Sequence, residues 1–148
     1  MKKILIISII VFSCSEKQNT KIETIQEKDT STAVRKKDIS NPSNKLTGKI
    51  ETLELQYIVW GCACANWVEV DKFEKFQKNG TLREKTIFIE PAEKKLILPE
   101  NFDVFKQKIM IKGQFYINPD YPKGTPETEE DLKKAPVFRY TELKIKKL

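Results

Sequence analysis

Two cysteines separated by a single residue stand in the segment Trp60-Gly61-Cys62-Ala63-Cys64-Ala65-Asn66-Trp67. Thiolates bind soft metal ions, exchange electrons and form disulfides, so this pair is the first candidate for chemistry in the chain. In an extended segment both sulfur atoms would lie on one face, where they could bind one metal ion. A bend would instead let them close a tight disulfide, and burial would leave two inert thiols. The pattern leaves these three interpretations open.

The metal interpretation is restricted by the rest of the composition. The sequence contains no histidine, and zinc sites usually have four protein ligands, so carboxylates, Met110 or water would have to complete a zinc site at Cys62 and Cys64. Cu(I) is satisfied by two or three soft ligands, which makes it the one cofactor that the pair favours. Thiol redox chemistry is the related alternative, although the common oxidoreductase motif separates its cysteines by two residues.

Three other side chains of the segment are candidates for contact with a partner. Trp60 and Trp67 bracket the cysteines, and such large amphipathic rings either pack the ends of a segment or anchor a ligand. Asn66 adds a polar group between them. We therefore assign Trp60, Trp67 and Asn66 as candidate partner-binding residues.

Catalytic chemistry has no clear constellation of residues. The absence of histidine from the sequence excludes every histidine-dependent triad. There is no glycine-rich phosphate loop and no nucleophile elbow. The acidic residues fit helix capping or turns instead, as in Glu90, Glu93, Glu127, Glu129, Glu130 and Asp131. We predict that the chain is not an enzyme and has no catalytic residue.

The first fourteen residues have the composition of an export signal. Lys2 and Lys3 precede the apolar stretch Ile4 to Phe12, which is shorter than the roughly 20 residues of a membrane-spanning helix. The tetrapeptide Val11-Phe12-Ser13-Cys14, which overlaps the end of this stretch, resembles the lipobox of bacterial lipoproteins, although Phe12 stands where a small residue is commonest. The resemblance implies that residues 1–13 are removed, that Cys14 is lipidated, and that the compartment is oxidising. Because Ser15 is not aspartate, it also implies an outer-membrane anchor facing the periplasm.

Composition divides the remaining chain near Lys45. Residues 15–44 contain no aromatic side chain and are rich in polar ones, so they cannot bury enough surface to offset the entropy of ordering. We expect residues 14–45 to be the lipidated cysteine with a flexible tether, and residues 46–148 to be a single β-rich domain. The net charge is +6, but charges of both signs are mixed along the chain. The excess of positive charge therefore favours anionic partners only weakly.

Alternating polarity predicts strands in the domain. The run around Leu53 and Leu55 is a long first strand, and residues 67–70 are a short second one. A helical turn with Phe73 and Phe76 should follow Asp71 as its N-cap. Further predicted elements are strands over 86–90, 95–98, 108–118 and 137–145, a helical turn within 100–105, and a helix beginning at Thr125-Pro126-Glu127. Gly113 should mark a bend, and we expect Val137, Leu143 and Ile145 in the core.

This order resembles the OB-fold, a small five-stranded barrel with a helix between its third and fourth strands. The resemblance is carried by residues 46–50, 99–105, 109–113 and 136–140. An open β-sandwich and an unrelated curved sheet are the alternatives. We therefore expect a mainly β domain, either a five-stranded OB-like barrel or a curved antiparallel sheet with one or two short helices.

OB barrels bind ligands with their second and third strands, which would place the binding surface around residues 67–71 and 88–90. Nucleic acid is their usual ligand, with Phe115, Tyr116, Phe138 and Tyr140 as possible stacking positions. Export argues against it, and aromatics next to lysines in an alternating strand are what a half-buried sheet with a solvated face predicts. We expect a cell-envelope lipoprotein that binds or scaffolds an envelope protein, peptide or glycan. The alternative is a Cu(I)-binding or thiol-redox protein acting through Cys62 and Cys64.

Overall fold

The structure of the chain, a computed structural model, describes residues 37–128 and 132–148. The predicted signal peptide, Cys14 and the tether up to residue 36 lie outside these residues. The described chain is mainly β, as the sequence predicts, with a single short α-helix among its described residues. Its elements are β1 (Glu51–Tyr57), β2 (Trp67–Glu69), α1 (Phe73–Lys78), β3 (Phe88–Pro91), β4 (Gln107–Phe115) and β5 (Val137–Lys147).

The five strands form one curled sheet in the order β2-β1-β4-β5-β3. All neighbouring pairs are antiparallel except β3 and β5, which are parallel. The two edges of the sheet meet at one bridge, where Trp67 N–H donates to Ile87 O at 3.2 Å and Ile87 N–H donates to Trp67 O at 2.8 Å. The sheet is therefore a curled, partly open five-stranded barrel, which confirms the predicted mainly β fold. The α-helix lies between β2 and β3, and not between the third and fourth strands as in the OB-fold.

The alternating positions of the central strands fill the interior of the barrel. Leu53 and Leu55 of β1 face Ile111 and Ile109 of β4 across the sheet, and all four side chains are buried. Burial of each such side chain contributes about 1.5–3 kcal/mol. β5 supplies Phe138 and Tyr140 to the same cluster. The prediction of a core position for Val137 is confirmed, whereas that for Ile145 is wrong because this residue is 38% exposed towards the end of β5.

Gly113 lies where β4 bends, as predicted. The register between β4 and β5 shifts between Lys112 and Gly113. A Cβ atom at Gly113 would collide with the carbonyl oxygen of Arg139 and lie 2.7 Å from Tyr140 Cα. Only glycine lets the two backbones approach so closely.

The connection from β3 to β4 covers one end of the barrel and differs from the prediction. A 3₁₀ turn over Lys94–Leu96 replaces the strand expected at 95–98, because this turn directs Leu96 onto the core and lets Tyr140 Oη donate to Leu96 O at 2.8 Å. The expected helical turn at 100–105 is an irregular turn in which Phe102 packs on the core. Phe105, in the same turn, is 77% exposed.

The helix expected to begin at Thr125-Pro126-Glu127 does not begin there. Pro126 forms a bridge with Asp38, and Glu127 N–H donates to Lys37 O at 2.9 Å. Ile39 N–H donates in turn to Thr125 O at 3.1 Å. These hydrogen bonds attach the described end of the expected tether, from residue 37, to the domain.

Helix α1 follows β2 as predicted and carries both Phe73 and Phe76. Asp71 does not cap it, because Asp71 lies within a preceding 3₁₀ turn over Val70–Lys72. The N-cap position is occupied by Lys72, which makes no side-chain capping hydrogen bond.

Candidate functional site

The cysteine segment forms the loop between β1 and β2, residues 58–66, which we call the β1–β2 loop. Tyr57 and Trp67 are register partners at its base. Ile58 N–H donates to Asn66 O at 2.7 Å and extends this pairing by one step. Farther out, Trp60 Nε1 donates to Ala65 O at 3.1 Å. These two hydrogen bonds join the two arms of the loop, one at its base and one farther out.

Cys62 and Cys64 are joined by a disulfide at the outer end of this loop, with their Cα atoms 5.3 Å apart. Both cysteines are partly exposed, and Gly61 and Ala63 beside them are exposed. Of the three interpretations of the pair, the structure has the disulfide. A metal site at Cys62 and Cys64 would require the reduced thiols, so Cu(I) binding stays a prediction. Within residues 37–128 and 132–148, no three His, Cys, Asp or Glu side chains are grouped as metal ligands.

Arg83 places a positive charge against the disulfide. Its Nη2 atom lies 3.6 Å from Cys62 Sγ and 3.6 Å from Cys64 Sγ. Arg83 lies in a short 3₁₀ turn over Leu82–Glu84, and the hydroxyl of buried Thr86 donates to Arg83 O at 3.0 Å. That hydrogen bond fixes the backbone from which the guanidinium group reaches the sulfur atoms.

The three predicted partner-binding residues have different environments. Trp60 and Asn66 are partly exposed in the β1–β2 loop. Trp67 is only 4% exposed and packs in the core, with ring centroids 5.2 Å from Tyr57 and 6.0 Å from Phe102. It therefore holds the base of the loop, while Trp60, Asn66 and the 60%-exposed Val59 provide the accessible surface.

The face expected from the OB resemblance offers less open surface than the loop. At 67–71 and 88–90, Trp67, Val68 and Glu90 are buried. The candidate stacking aromatics are also engaged elsewhere. Phe138 and Tyr140 are buried in the core, Phe115 packs edge-on against Phe138 at 4.8 Å, and Tyr116 donates to a carboxylate.

That carboxylate belongs to Glu90, which is the centre of a buried polar cluster. Tyr116 Oη donates to Glu90 Oε1 at 2.8 Å, and Lys123 N–H donates to Glu90 Oε2 at 2.9 Å. Arg139 Nε lies 3.6 Å from Glu90 Oε1. Burial, together with the hydrogen bond to this carboxylate, raises the pKa of Tyr116 to about 12. The cluster fastens the loop after β4 to strands β3 and β5.

Asp120 is a second buried carboxylate on the same side. Its Oδ2 accepts the Asn41 N–H at 2.8 Å, and Lys134 Nζ lies 3.0 Å from its Oδ1. Burial alone would raise the pKa of Asp120, but Lys134 and backbone N–H groups outweigh burial and lower it. Asp120 thereby attaches Asn41 to the domain. A cavity of about 10 Å³ next to it has room for one water molecule at most.

Two of these groups were missed in the sequence. Glu90 could have been recognised from the sequence, because residues 86, 88 and 90 alternate along a strand and Glu90 therefore lies on the same inward face as Thr86 and Phe88. The sequence contains no such indication for Arg83, because only the folding of the chain brings it to the cysteines.

Comparison with known proteins adds no relative: the chain matches no protein-family model, no curated protein and no solved structure. In the part of the chain that the structure describes, no helix is long and apolar enough to cross a membrane.

Proposed function

We propose that this chain is a lipid-anchored bacterial envelope protein that acts as a non-enzymatic binding module. Its partner would be an envelope protein, a peptide or a glycan, and the contact surface would be the β1–β2 loop. One observation carries the proposal: exposed Val59 and the Trp60 ring lie on a loop that is already ordered by hydrogen bonds and a disulfide. An ordered loop loses little entropy on binding, so its apolar contacts contribute more to affinity.

The proposed anchor rests on the sequence of residues 1–14 and on lipidation of Cys14. Its location would be the outer membrane, facing the periplasm. The test is the intact mass of the protein purified from membranes of an expressing bacterium. Lipidation predicts a chain that starts at Cys14 with diacylglyceryl and acyl groups, and a Cys14→Ser variant that is released from the membrane. A membrane-free wild-type protein would contradict the anchor.

The proposed binding surface is tested by site-specific photo-crosslinking in the same cells. A photoreactive residue at Val59 should give a discrete adduct, whereas one at Ile117, which is 59% exposed elsewhere on the domain, should not. Trp60→Ala should abolish the Val59 adduct, and Phe105→Ala, a change at another exposed aromatic, should leave it intact. Equal crosslinking at both positions would contradict a specific site. Co-sedimentation with purified cell-wall glycan then separates a glycan from a protein partner.

A further inference from the structure

We propose that the Cys62–Cys64 disulfide is a thiol–disulfide exchange site whose substrate is a dithiol peptide or protein, with Arg83 stabilising the thiolate that leaves. This activity goes beyond partner binding and does not depend on it. It would use the same loop for two-electron chemistry. The argument rests on the accessibility of the sulfur atoms, the charge beside them and the way the loop is supported.

The disulfide lies in a part of the loop that an incoming thiolate can approach. Cys62 and Cys64 are partly exposed, and their neighbours Gly61 and Ala63 are exposed and small. A Cβ atom at Gly61 would meet no other atom within 4 Å, so the approach along this side of the loop is open. Exposed disulfides of this kind are the labile ones, whereas structural disulfides resist reduction.

The charge beside the disulfide favours its opening. Arg83 Nη2 lies 3.6 Å from both sulfur atoms, so the guanidinium group is equally placed for either leaving sulfur. A neighbouring arginine stabilises a thiolate, and a better leaving thiolate speeds exchange. No such charge is needed by a disulfide that only braces a loop.

The loop does not depend on the disulfide for its shape. The hydrogen bonds from Ile58 N–H to Asn66 O and from Trp60 Nε1 to Ala65 O involve no sulfur atom. Arg83 is held separately, through Thr86. The two sulfur atoms and the guanidinium group therefore stay together after reduction, which a reversible thiol–disulfide exchange requires.

The exchange balances in two steps. One thiolate of the substrate attacks either sulfur, the Cys62–Cys64 bond breaks, and its electron pair leaves on the other cysteine as a thiolate beside Arg83. The second substrate thiol then loses its proton and attacks the mixed disulfide, which releases the remaining cysteine. The substrate dithiol is oxidised to a disulfide, and Cys62 and Cys64 are reduced by two electrons and take up two protons.

The test uses the folded, oxidised protein with dithiothreitol and with an unstructured dithiol peptide as probes. Alkylation followed by mass analysis measures the fraction of reduced Cys62 and Cys64, and circular dichroism shows that the fold persists. We expect reduction without unfolding, and matching oxidation of the peptide. A disulfide that opens only at the rate of global unfolding would overturn the proposal.

Arg83 is tested against a matched cation two residues along the chain. Arg83→Gln should slow exchange about threefold, the effect of a rise of one pKa unit in the leaving thiol at a Brønsted slope of about 0.5. It should also raise the pH at which alkylation of the reduced protein is half-maximal. Lys85→Gln removes an equal charge directly after this turn and should change neither quantity, and Arg83→Lys should restore part of the rate. Equal effects of Arg83→Gln and Lys85→Gln would overturn the role of Arg83.

Discussion

Glu90 and Arg139 are register partners on the parallel strands β3 and β5, and their side chains form an ion pair with 3.6 Å between Glu90 Oε1 and Arg139 Nε. The Glu90 side chain is only 7% exposed, so its charge has lost most of its water. It is compensated by Arg139, by the Tyr116 hydroxyl and by the Lys123 N–H. This cluster joins three segments of chain that are far apart in sequence.

Glu90→Ala should therefore destabilise the domain. The variant removes the hydrogen-bond acceptor of Tyr116 Oη and of the Lys123 N–H and leaves the Arg139 guanidinium without its ion-pair partner. We expect a loss of about 2 kcal/mol in the free energy of unfolding. Glu93→Ala removes an exposed carboxylate paired with Lys95 and should change this energy by less than about 0.5 kcal/mol. Urea unfolding followed by tryptophan fluorescence measures both. Equal stability of the two variants would show that the cluster is not a structural clamp.

Alkaline pH should unfold the protein through two tyrosines. Burial raises the pKa of Tyr140 to about 12, and burial with the Glu90 hydrogen bond raises that of Tyr116 to about 12. Between pH 10 and 12 the unfolded state loses protons that the folded state keeps, so stability is complete below pH 10 and falls as pH rises. The expected slope is about 1.4 kcal/mol per pH unit for each tyrosine.

Tyr140→Phe isolates one of the two contributions. Below pH 10 it should cost about 1 kcal/mol, because the hydrogen bond from Tyr140 Oη to Leu96 O is lost. Between pH 10 and 12 the fall in stability should be about half as steep as in the wild type. Unfolding curves at fixed pH values provide the comparison, and parallel curves for the two proteins would argue against a buried, titrating Tyr140.

Gly113→Ala should be severely destabilising. The added methyl group would collide with Arg139 O and lie 2.7 Å from Tyr140 Cα, and both are backbone atoms that cannot rotate away. We expect a loss of about 3 kcal/mol or more. The control is Gly61→Ala, because a Cβ atom there meets nothing within 4 Å; its effect should lie within about 0.5 kcal/mol. A mild Gly113→Ala would mean that β4 and β5 can separate at the bend.

The sequence predicts the strands because their signal is local. Alternation around Leu53 and Leu55 and around Ile109 and Ile111 can be recognised without knowing the partner strand, and Gly113 marks the bend by its type alone. The pair Leu96 and Leu98 has the same alternation, yet a 3₁₀ turn buries Leu96 equally well. Here a local pattern fits two structures, and the hydrogen bond from Tyr140 decides between them.

The candidate site is less predictable because it depends on contacts distant in sequence. The cysteine pair is visible in the sequence, and its spacing permits the disulfide. Arg83 reaches the sulfur atoms only because its turn follows α1 back towards the β1–β2 loop. Thr125-Pro126-Glu127 has the composition of a helix start, but its backbone pairs with Lys37 and Asp38 and does not begin a helix.

Acid pH and loss of Asp120 should both loosen the attachment of Asn41 to the domain. The pKa of Asp120 is lowered in the folded state, because Lys134 and backbone N–H groups outweigh the effect of burial. Its contribution to stability is therefore complete above the unfolded value of about 3.9 and is lost as pH falls through the lower folded pKa. At neutral pH, Asp120→Ala should speed amide exchange at Asn41 at least about tenfold. Asp103→Ala, at a turn distant in sequence, should not affect Asn41, and unchanged exchange in Asp120→Ala would contradict this attachment.

Replacing both cysteines by serine should cost little stability. The disulfide closes a loop of only three residues, so the chain-entropy relation gives about 1.6 kcal/mol, roughly half of the value for a fifteen-residue loop. Amide exchange at Ile58 should be nearly unchanged, because the hydrogen bond from Ile58 N–H to Asn66 O and that from Trp60 Nε1 to Ala65 O remain. Chemical unfolding of the Cys62→Ser, Cys64→Ser double variant measures the cost. A loss above about 4 kcal/mol would show that the disulfide holds the fold together, and it would contradict the proposal that this bond exchanges with substrate thiols.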